Sequence, residues 1–210
     1  MWMQYFSEFL ILANVHFLAV LLPGPDFIVT IRNSLRYGYG IGCMTAIGIG
    51  IGISIHVFYT LIGVGIVIQH SSWLMSIFRV LGAFYLIYLG WNLLHAKGLH
   101  VDIFSESNQQ GSLNKWKAFR MGFMTNALNP KATIFFLSIF TTLVSVSTPM
   151  KVQVFYGVWM CTVNALWFIV VAKIFSYSTI RNQFLKHSKV FERIMGLILI
   201  VLALSLILKN

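Results

Sequence analysis

Leu21-Leu22-Pro23-Gly24-Pro25-Asp26-Phe27 lies inside an apolar run that opens near Phe9 and continues to Ile31. Two prolines and a glycine within three residues cannot sit in a regular helix. Each proline removes a backbone donor and clashes with the preceding turn, and each disfavours the α conformation in the residue before it. In hydrocarbon a freed backbone carbonyl is expensive, so a broken helix persists only where it is buried in protein or lines a polar cavity. An aspartate at the break is a second costly choice. A second interruption, Asn129-Pro130-Lys131, again lies inside an apolar run and again carries a charge. Two interrupted spans in corresponding positions point to the substrate site of a transporter.

The composition fits that setting. Of 210 residues, 58% are hydrophobic and 10% charged, and the mean hydropathy is +0.82. No soluble fold hides so much apolar surface, so the chain reads as an all-α polytopic membrane protein. Runs long enough to cross a bilayer fall at about 7–31, 41–67, 73–94, 118–146, 153–175 and 191–208, giving six spans. The last is short because Glu192 and Arg193 stand at its start. Met1 to Ser7 is an uncharged lead, and Glu8 marks the outer end of the first span. That run lacks a basic n-region and a small-residue cleavage site, so it reads as a retained span rather than a signal peptide.

A net charge of +10 would suit nucleic acid if the charges formed a patch, but their placement is topological. With six spans, one side receives Arg32, Arg36, Lys97, Lys115, Lys117, Arg120, Arg181, Lys186, Lys189 and Arg193, and the other only Arg79, Lys151 and Lys209. That positive-inside bias places both termini on the periplasmic side and leaves no nucleic-acid partner. Cys43 and Cys161 fall inside spans, have no metal-type spacing, and read as buried, unreactive thiols.

Along the chain, His16 and His56 each stand alone on an apolar background and read as satisfied core histidines, with a proton relay the lesser alternative for His16. After the first break the span ends at Arg32 and Arg36, before the turn-like Tyr37-Gly38-Tyr39-Gly40. In the second span Gly38, Gly42, Ala46, Gly50 and Ser54 recur every fourth residue, with Gly48 and Gly52 beside them. Such a small-residue stripe lets helices approach closely in lipid. Tyr85, Tyr88 and Trp91, near the end of the third span, read as interfacial anchors. The segment Lys97 to Lys117 is polar and reads as a flexible cytoplasmic loop. The last cytoplasmic loop is basic and leads into Arg193.

The two halves echo each other. Pro25-Asp26 lines up with Pro130-Lys131, and Arg79-x-x-Gly82 with Arg193-x-x-Gly196. Three spans per half is an odd number, so the second half must be inserted upside down. The expected architecture is one domain over 1–210: a first repeat at about 7–95, a cytoplasmic loop at 96–117, and an inverted repeat at about 118–208. The first and fourth helices are broken at their proline motifs.

Both breaks then lie at membrane depth and face each other across the pseudo-twofold axis, which makes Asp26 and Lys131 natural partners. An unpaired charge there costs roughly 3 kcal/mol or more. One reading is a structural ion pair that fixes the packing of the halves. The other is a zwitterionic amino acid between them, its ammonium on Asp26 and its carboxylate on Lys131 and freed backbone N–H groups. The candidate substrate-binding residues are Pro23, Gly24, Pro25, Asp26, Asn126, Asn129, Pro130, Lys131 and Asn164. Asp26, the only acidic residue clearly within a span, is the candidate carrier of a coupling proton. Lys173 has no obvious acidic partner; it either snorkels to an interface or lines the path.

Pro-Gly-Pro-Asp-Phe at 23–27, the glycine-rich span after it, Gly82-x-x-Tyr85-Leu86-x-Tyr88-Leu89-Gly90 and Asn129-Pro130-Lys131-Ala132 together resemble the LysE/RhtB family of amino-acid exporters. Asp after Pro-Gly-Pro and Leu166-Trp167-Phe168 look most like the threonine and homoserine efflux branch. The resemblance runs over nearly the whole chain. It implies six spans in the bacterial inner membrane and antiport of a small amino acid against protons. It implies no cofactor, and a homodimer is compatible with it. Lys173 departs from the small or neutral residue of that branch, and a cation near the path would disfavour lysine or arginine as cargo.

Three other readings compete. A metal-ion or other cation exporter of related architecture wants several carboxylates, histidines or thiolates converging on the ion, and the spans offer one aspartate and scattered histidines. A membrane-embedded enzyme needs a nucleophile–base pair or metal cluster, and neither H-E-x-x-H nor G-x-S-x-G occurs. A purely structural subunit has no need of two proline breaks with opposite charges.

Overall fold

The computed structural model describes residues 2–70, 72–96, 113–145 and 147–208. The described residues form eight helices and no strand: α1 (Trp2–Leu21), α2 (Pro25–Tyr37), α3 (Tyr39–His70), α4 (Ser72–Leu94), α5 (Lys115–Ala127), α6 (Pro130–Leu143), α7 (Met150–Ile174) and α8 (Ser178–Leu208). Among the described residues, Met3–Leu21, Tyr39–Gly63 and Met150–Ile174 are long and apolar enough to cross a membrane, and Val80–Leu94 and Pro130–Leu143 are shorter apolar helices. Large apolar side chains such as Phe58, Phe84, Trp91, Leu166 and Leu197 stand more than half exposed on the outward faces, the surface expected of a protein embedded in lipid.

The two proline motifs break the chain in the same way. Pro23 has no N–H for the carbonyl of Ala19, and Pro130 has none for that of Asn126. Each carbonyl instead accepts from the residue three positions on, Leu22 N–H at 3.2 Å and Asn129 N–H at 2.9 Å. A tight last turn closes each leading helix, and a new helix then starts with proline in its first turn, at Pro25 and at Pro130. Between α2 and α3 the chain turns at Gly38, whose φ of 89° suits only glycine and whose N–H closes on the Ser34 carbonyl.

Helix α3 is the hub, packed against α2, α5, α6 and α7, while α4 lies against α6 and α8. The glycine stripe of α3 is where this packing is tightest. A Cβ on Gly48 would run into the Phe119 carbonyl, and one on Gly122 into the Thr45 carbonyl, so α3 and α5 meet backbone to backbone. A second close approach joins α4 and α8, where a Cβ on Gly90 would stand 2.7 Å from the Gly196 carbonyl oxygen and one on Gly196 2.6 Å from that of Gly90. One apolar core gathers α1, α3, α4, α6, α7 and α8 around Leu12, Ile53, Phe136, Ile139 and Met160. A second packs Phe27, Phe168 and Phe175 together, with Phe184 tilted against Phe27 at 5.4 Å.

Several expectations are corrected. The uncharged lead is the first turns of α1, which starts at Trp2. The basic segment before Arg193 is helical: α8 begins at Ser178, and Phe184, Ser188 and Glu192 fall at helical spacing on its inner side. Glu8 is buried, not a marker of an exposed end. Its carboxylate accepts from Ser145 N–H at 3.1 Å and from the Thr148 hydroxyl at 3.0 Å. Glu192 is 7% exposed, so Asp26 is not the only acid buried in this bundle. Tyr88 and Trp91 point outward as anchors do, but Tyr85 turns inward and donates to the Lys131 carbonyl at 3.2 Å. Cys43 and Cys161 are free and half-buried. Most of the cytoplasmic loop (97–112) and the Arg79 side chain lie outside the described residues.

Candidate functional site

The two breaks meet. Gly24, in extended conformation (φ −163°, ψ −166°), precedes α2, and Asn129 caps α6 by accepting the Lys131 N–H on its side-chain oxygen at 3.0 Å. The Lys131 side chain crosses from the second break to the first: a Cβ added at Gly24 would stand 4.0 Å from its Nζ. Gly24, Pro25, Asp26, Asn126, Asn129, Lys131 and Asn164 all line one cavity of about 580 Å³, counting its open mouth. The helices that begin at the breaks bring the positive ends of two helix dipoles to it. Pro23 is buried and Pro130 exposed, and neither is among the lining residues; they act by ending α1 and α5.

Asp26 and Lys131 do not pair directly. Asn126 donates from Nδ2 to Asp26 Oδ2 at 2.8 Å, while the lysine and aspartate charges feel each other across the cavity. The other carboxylate oxygen, Asp26 Oδ1, has no partner in the protein, nor have Asn126 Oδ1 and Asn164 Oδ1, and all three are buried atoms. A buried acceptor left unmatched costs about 1–3 kcal/mol, more when charged. The residues that carry these oxygens, Asp26, Asn126 and Asn164, border the same cavity as Lys131. The wall beyond them is apolar, formed by Ile53, Leu89, Phe135, Phe136 and Phe168 among others.

The two lone histidines part company here. His56 is the satisfied core residue expected. Its Nε2 meets the Asn126 carbonyl at 3.0 Å, the acceptor that Pro130 leaves short of a donor. A carbonyl can only accept, so Nε2 carries the proton and Nδ1 accepts from the Tyr59 hydroxyl at 2.7 Å. His16 is buried to 1% exposure, but neither of its ring nitrogens has a partner in the protein, and it lines the same cavity as Asp26. The expectation of a satisfied core residue, with a proton relay as the lesser alternative, is corrected here: His16 is in the core but unsatisfied within the protein. The available signal was its place on α1, three and four residues before Ala19 and Val20, which share its cavity face.

Glu192 was also passed over. It is buried, and it falls in the stripe Ser188, Glu192, Met195, Leu199 and Ala203 on α8, a spacing legible once α8 is extended back to Ser178. Lys173 is exposed in the last turn of α7, away from the cavity, where a cation suits the helix C-terminus. In the Leu166-Trp167-Phe168 motif only Phe168 lines the cavity. Leu166 points out, and Trp167 packs edge-on against Phe17 at 5.9 Å.

The chain matches the family model described as LysE type translocator over residues 17–210. It is 31% identical over 187 residues to the uncharacterized membrane protein YrhP of Bacillus subtilis, covering 86% of this chain and 89% of that one. It is 27% identical over 204 residues to the threonine efflux protein of Escherichia coli K12, covering 96% and 98% of the two chains. Another Escherichia coli relative, the uncharacterized membrane protein YahN, is 26% identical over 185 residues, 88% of this chain and 82% of that one. No solved structure matches significantly. The chain is a multi-pass membrane protein that belongs to the LysE type translocator family.

Proposed function

We propose that this translocator exports a small neutral amino acid of the threonine or homoserine kind across the bacterial inner membrane, by secondary transport coupled to protons. The observation that carries the reading is the pair of opposite charges, Asp26 and Lys131, which face one cavity without neutralising each other directly. The substrate ammonium sits against Asp26 Oδ1, Asn126 Oδ1 and Asn164 Oδ1. Its carboxylate sits on the Lys131 ammonium and the backbone N–H groups that open α2 and α6. Asp26 binds the ammonium when ionised and releases it when protonated, so one carboxyl couples proton entry to cargo release. The threonine efflux relatives, aligned along 96% of this chain, support the choice of cargo.

The same reading takes α1–α4 and α5–α8 as two inverted repeats of three spans each, with the pairs α1/α2 and α5/α6 as the broken spans, and sets both termini on the periplasmic side. Equivalent closure of the breaks at Ala19 and Asn126 and the reciprocal contact of Gly90 with Gly196 support it. A cation exporter is the lesser reading. Three unmatched oxygens suit a metal ion, but the Lys131 ammonium repels one, at about 4 kcal/mol for unit charges 4 Å apart near a protein surface.

The test is efflux from proteoliposomes loaded with labelled threonine, homoserine, leucine or lysine, with and without an imposed pH gradient. Gradient-dependent release of a neutral amino acid is the expected result. Correctly inserted protein that releases none of them would refute the proposal.

A further inference from the structure

We propose that His16 is the residue by which the cavity distinguishes a hydroxylated side chain from an apolar one of the same shape. The inference rests on the amino-acid site proposed above and assigns the far end of it. The charged and amide groups cluster around the two breaks, which fixes where the backbone ammonium and carboxylate of a substrate lie. The substrate side chain then projects toward the apolar wall of Ile53, Phe135 and Phe136.

His16 is a polar residue of that lining, on α1 about two turns before the first break. It is 1% exposed, and it is wedged between Phe136 at 5.9 Å and Trp159 at 5.8 Å. Aromatic packing fixes the ring plane but satisfies neither nitrogen. A neutral imidazole carries one donor and one acceptor, and a leucine or phenylalanine would fill the same space without leaving either unmatched. His56 gives the contrast: it also packs on Phe136, stacked at 5.6 Å, and both its nitrogens are engaged. The structure therefore leaves two polar atoms unmatched at His16 alone of this pair, on a residue that lines the cavity. A substrate hydroxyl both donates and accepts, so it matches whichever nitrogen faces it. A methyl group in its place leaves that nitrogen unmatched. A site that bonds a substrate hydroxyl rejects the analogue lacking it far more strongly than an apolar pocket rejects an added hydroxyl.

Threonine and valine differ by this exchange, so their efflux ratio is the measurement. Labelled threonine and valine are loaded together into proteoliposomes holding the wild type, His16→Leu or His16→Gln, and melting temperatures are recorded in detergent. The expected result is a wild-type preference for threonine that falls roughly tenfold or more in His16→Leu and only partly in His16→Gln, with a melting temperature unchanged or raised in His16→Leu. A ratio unchanged in His16→Leu, with both amino acids still released, overturns the assignment of His16 and leaves the site standing. A lower melting temperature with proportional loss of both substrates also overturns it, because it marks a structural histidine. Wild-type liposomes that release neither amino acid overturn the site and this inference together.

Discussion

Among the described residues, Asp26 and Lys131 carry the side-chain charges that line the cavity, and each is held by a different device. The aspartate is fixed by Asn126 and the lysine by its place at the start of α6, whose backbone is pinned by Asn129 and Tyr85. Asp26→Asn and Lys131→Ala are each expected to abolish efflux while the protein still inserts and purifies as a folded species, since neither breaks a direct ion pair. Normal efflux by both variants in proteoliposomes would remove the site from this cavity. His56 belongs to a different ledger. Its Nε2–H donates to the Asn126 carbonyl, which also accepts from Asn129 N–H, so His56→Phe removes one of that carbonyl's two donors and is expected to lower stability by about 1 kcal/mol, read as a reduced melting temperature in detergent.

Among the elements, the broken spans and the glycine-lined contact of α3 with α5 do the positioning. Pro130→Ala returns an N–H to the Asn126 carbonyl and permits α5 and α6 to run on as one helix. That change should raise the melting temperature and slow efflux, because straightening the helix moves Lys131 from Gly24; unchanged efflux would show that the break is dispensable. The α3–α5 contact leaves no room for a side chain at Gly48 or Gly122. Gly48→Leu is expected to cost about 3 kcal/mol or more by overpacking, measurable as loss of folded protein after detergent extraction. The breaks were legible in the sequence because proline chemistry acts within one turn. The extension of α8 was not, because Glu192 and Arg193 looked like a span boundary until the buried stripe through Ser188 gave them a helical context.

At the scale of the whole molecule, Glu8 ties the start of α1 to the link between α6 and α7. Its carboxylate holds Ser145 and Thr148, and Tyr156 donates to the Tyr5 carbonyl beside it at 2.9 Å. Glu8→Ala leaves both donors unmatched and is expected to cost about 2 kcal/mol, with Glu8→Gln recovering part of it in the same thermal assay. The proposed topology predicts that a reporter active only in the periplasm works when fused to the C-terminus, whereas one that folds only in the cytoplasm does not. The opposite pattern would invert the orientation derived from the lysine and arginine bias.

By itself the sequence determined the membrane-embedded all-helical class, the two interruptions, the close packing of the second span and the charges placed at the breaks. All of these follow from local chemistry: a missing N–H, a missing Cβ, or a charge that hydrocarbon tolerates only with a purpose. Only the tertiary structure decided which residues meet. Lys131 and Gly24 are far apart in sequence, yet the ammonium reaches the first break. Asn126, not Lys131, donates the hydrogen bond to Asp26, and Lys173 faces away. His16 and His56 look alike along the chain, one polar ring in an apolar run, and differ only in what the fold sets beside them. Partners for a buried polar group come from other helices, and no local pattern encodes those distances.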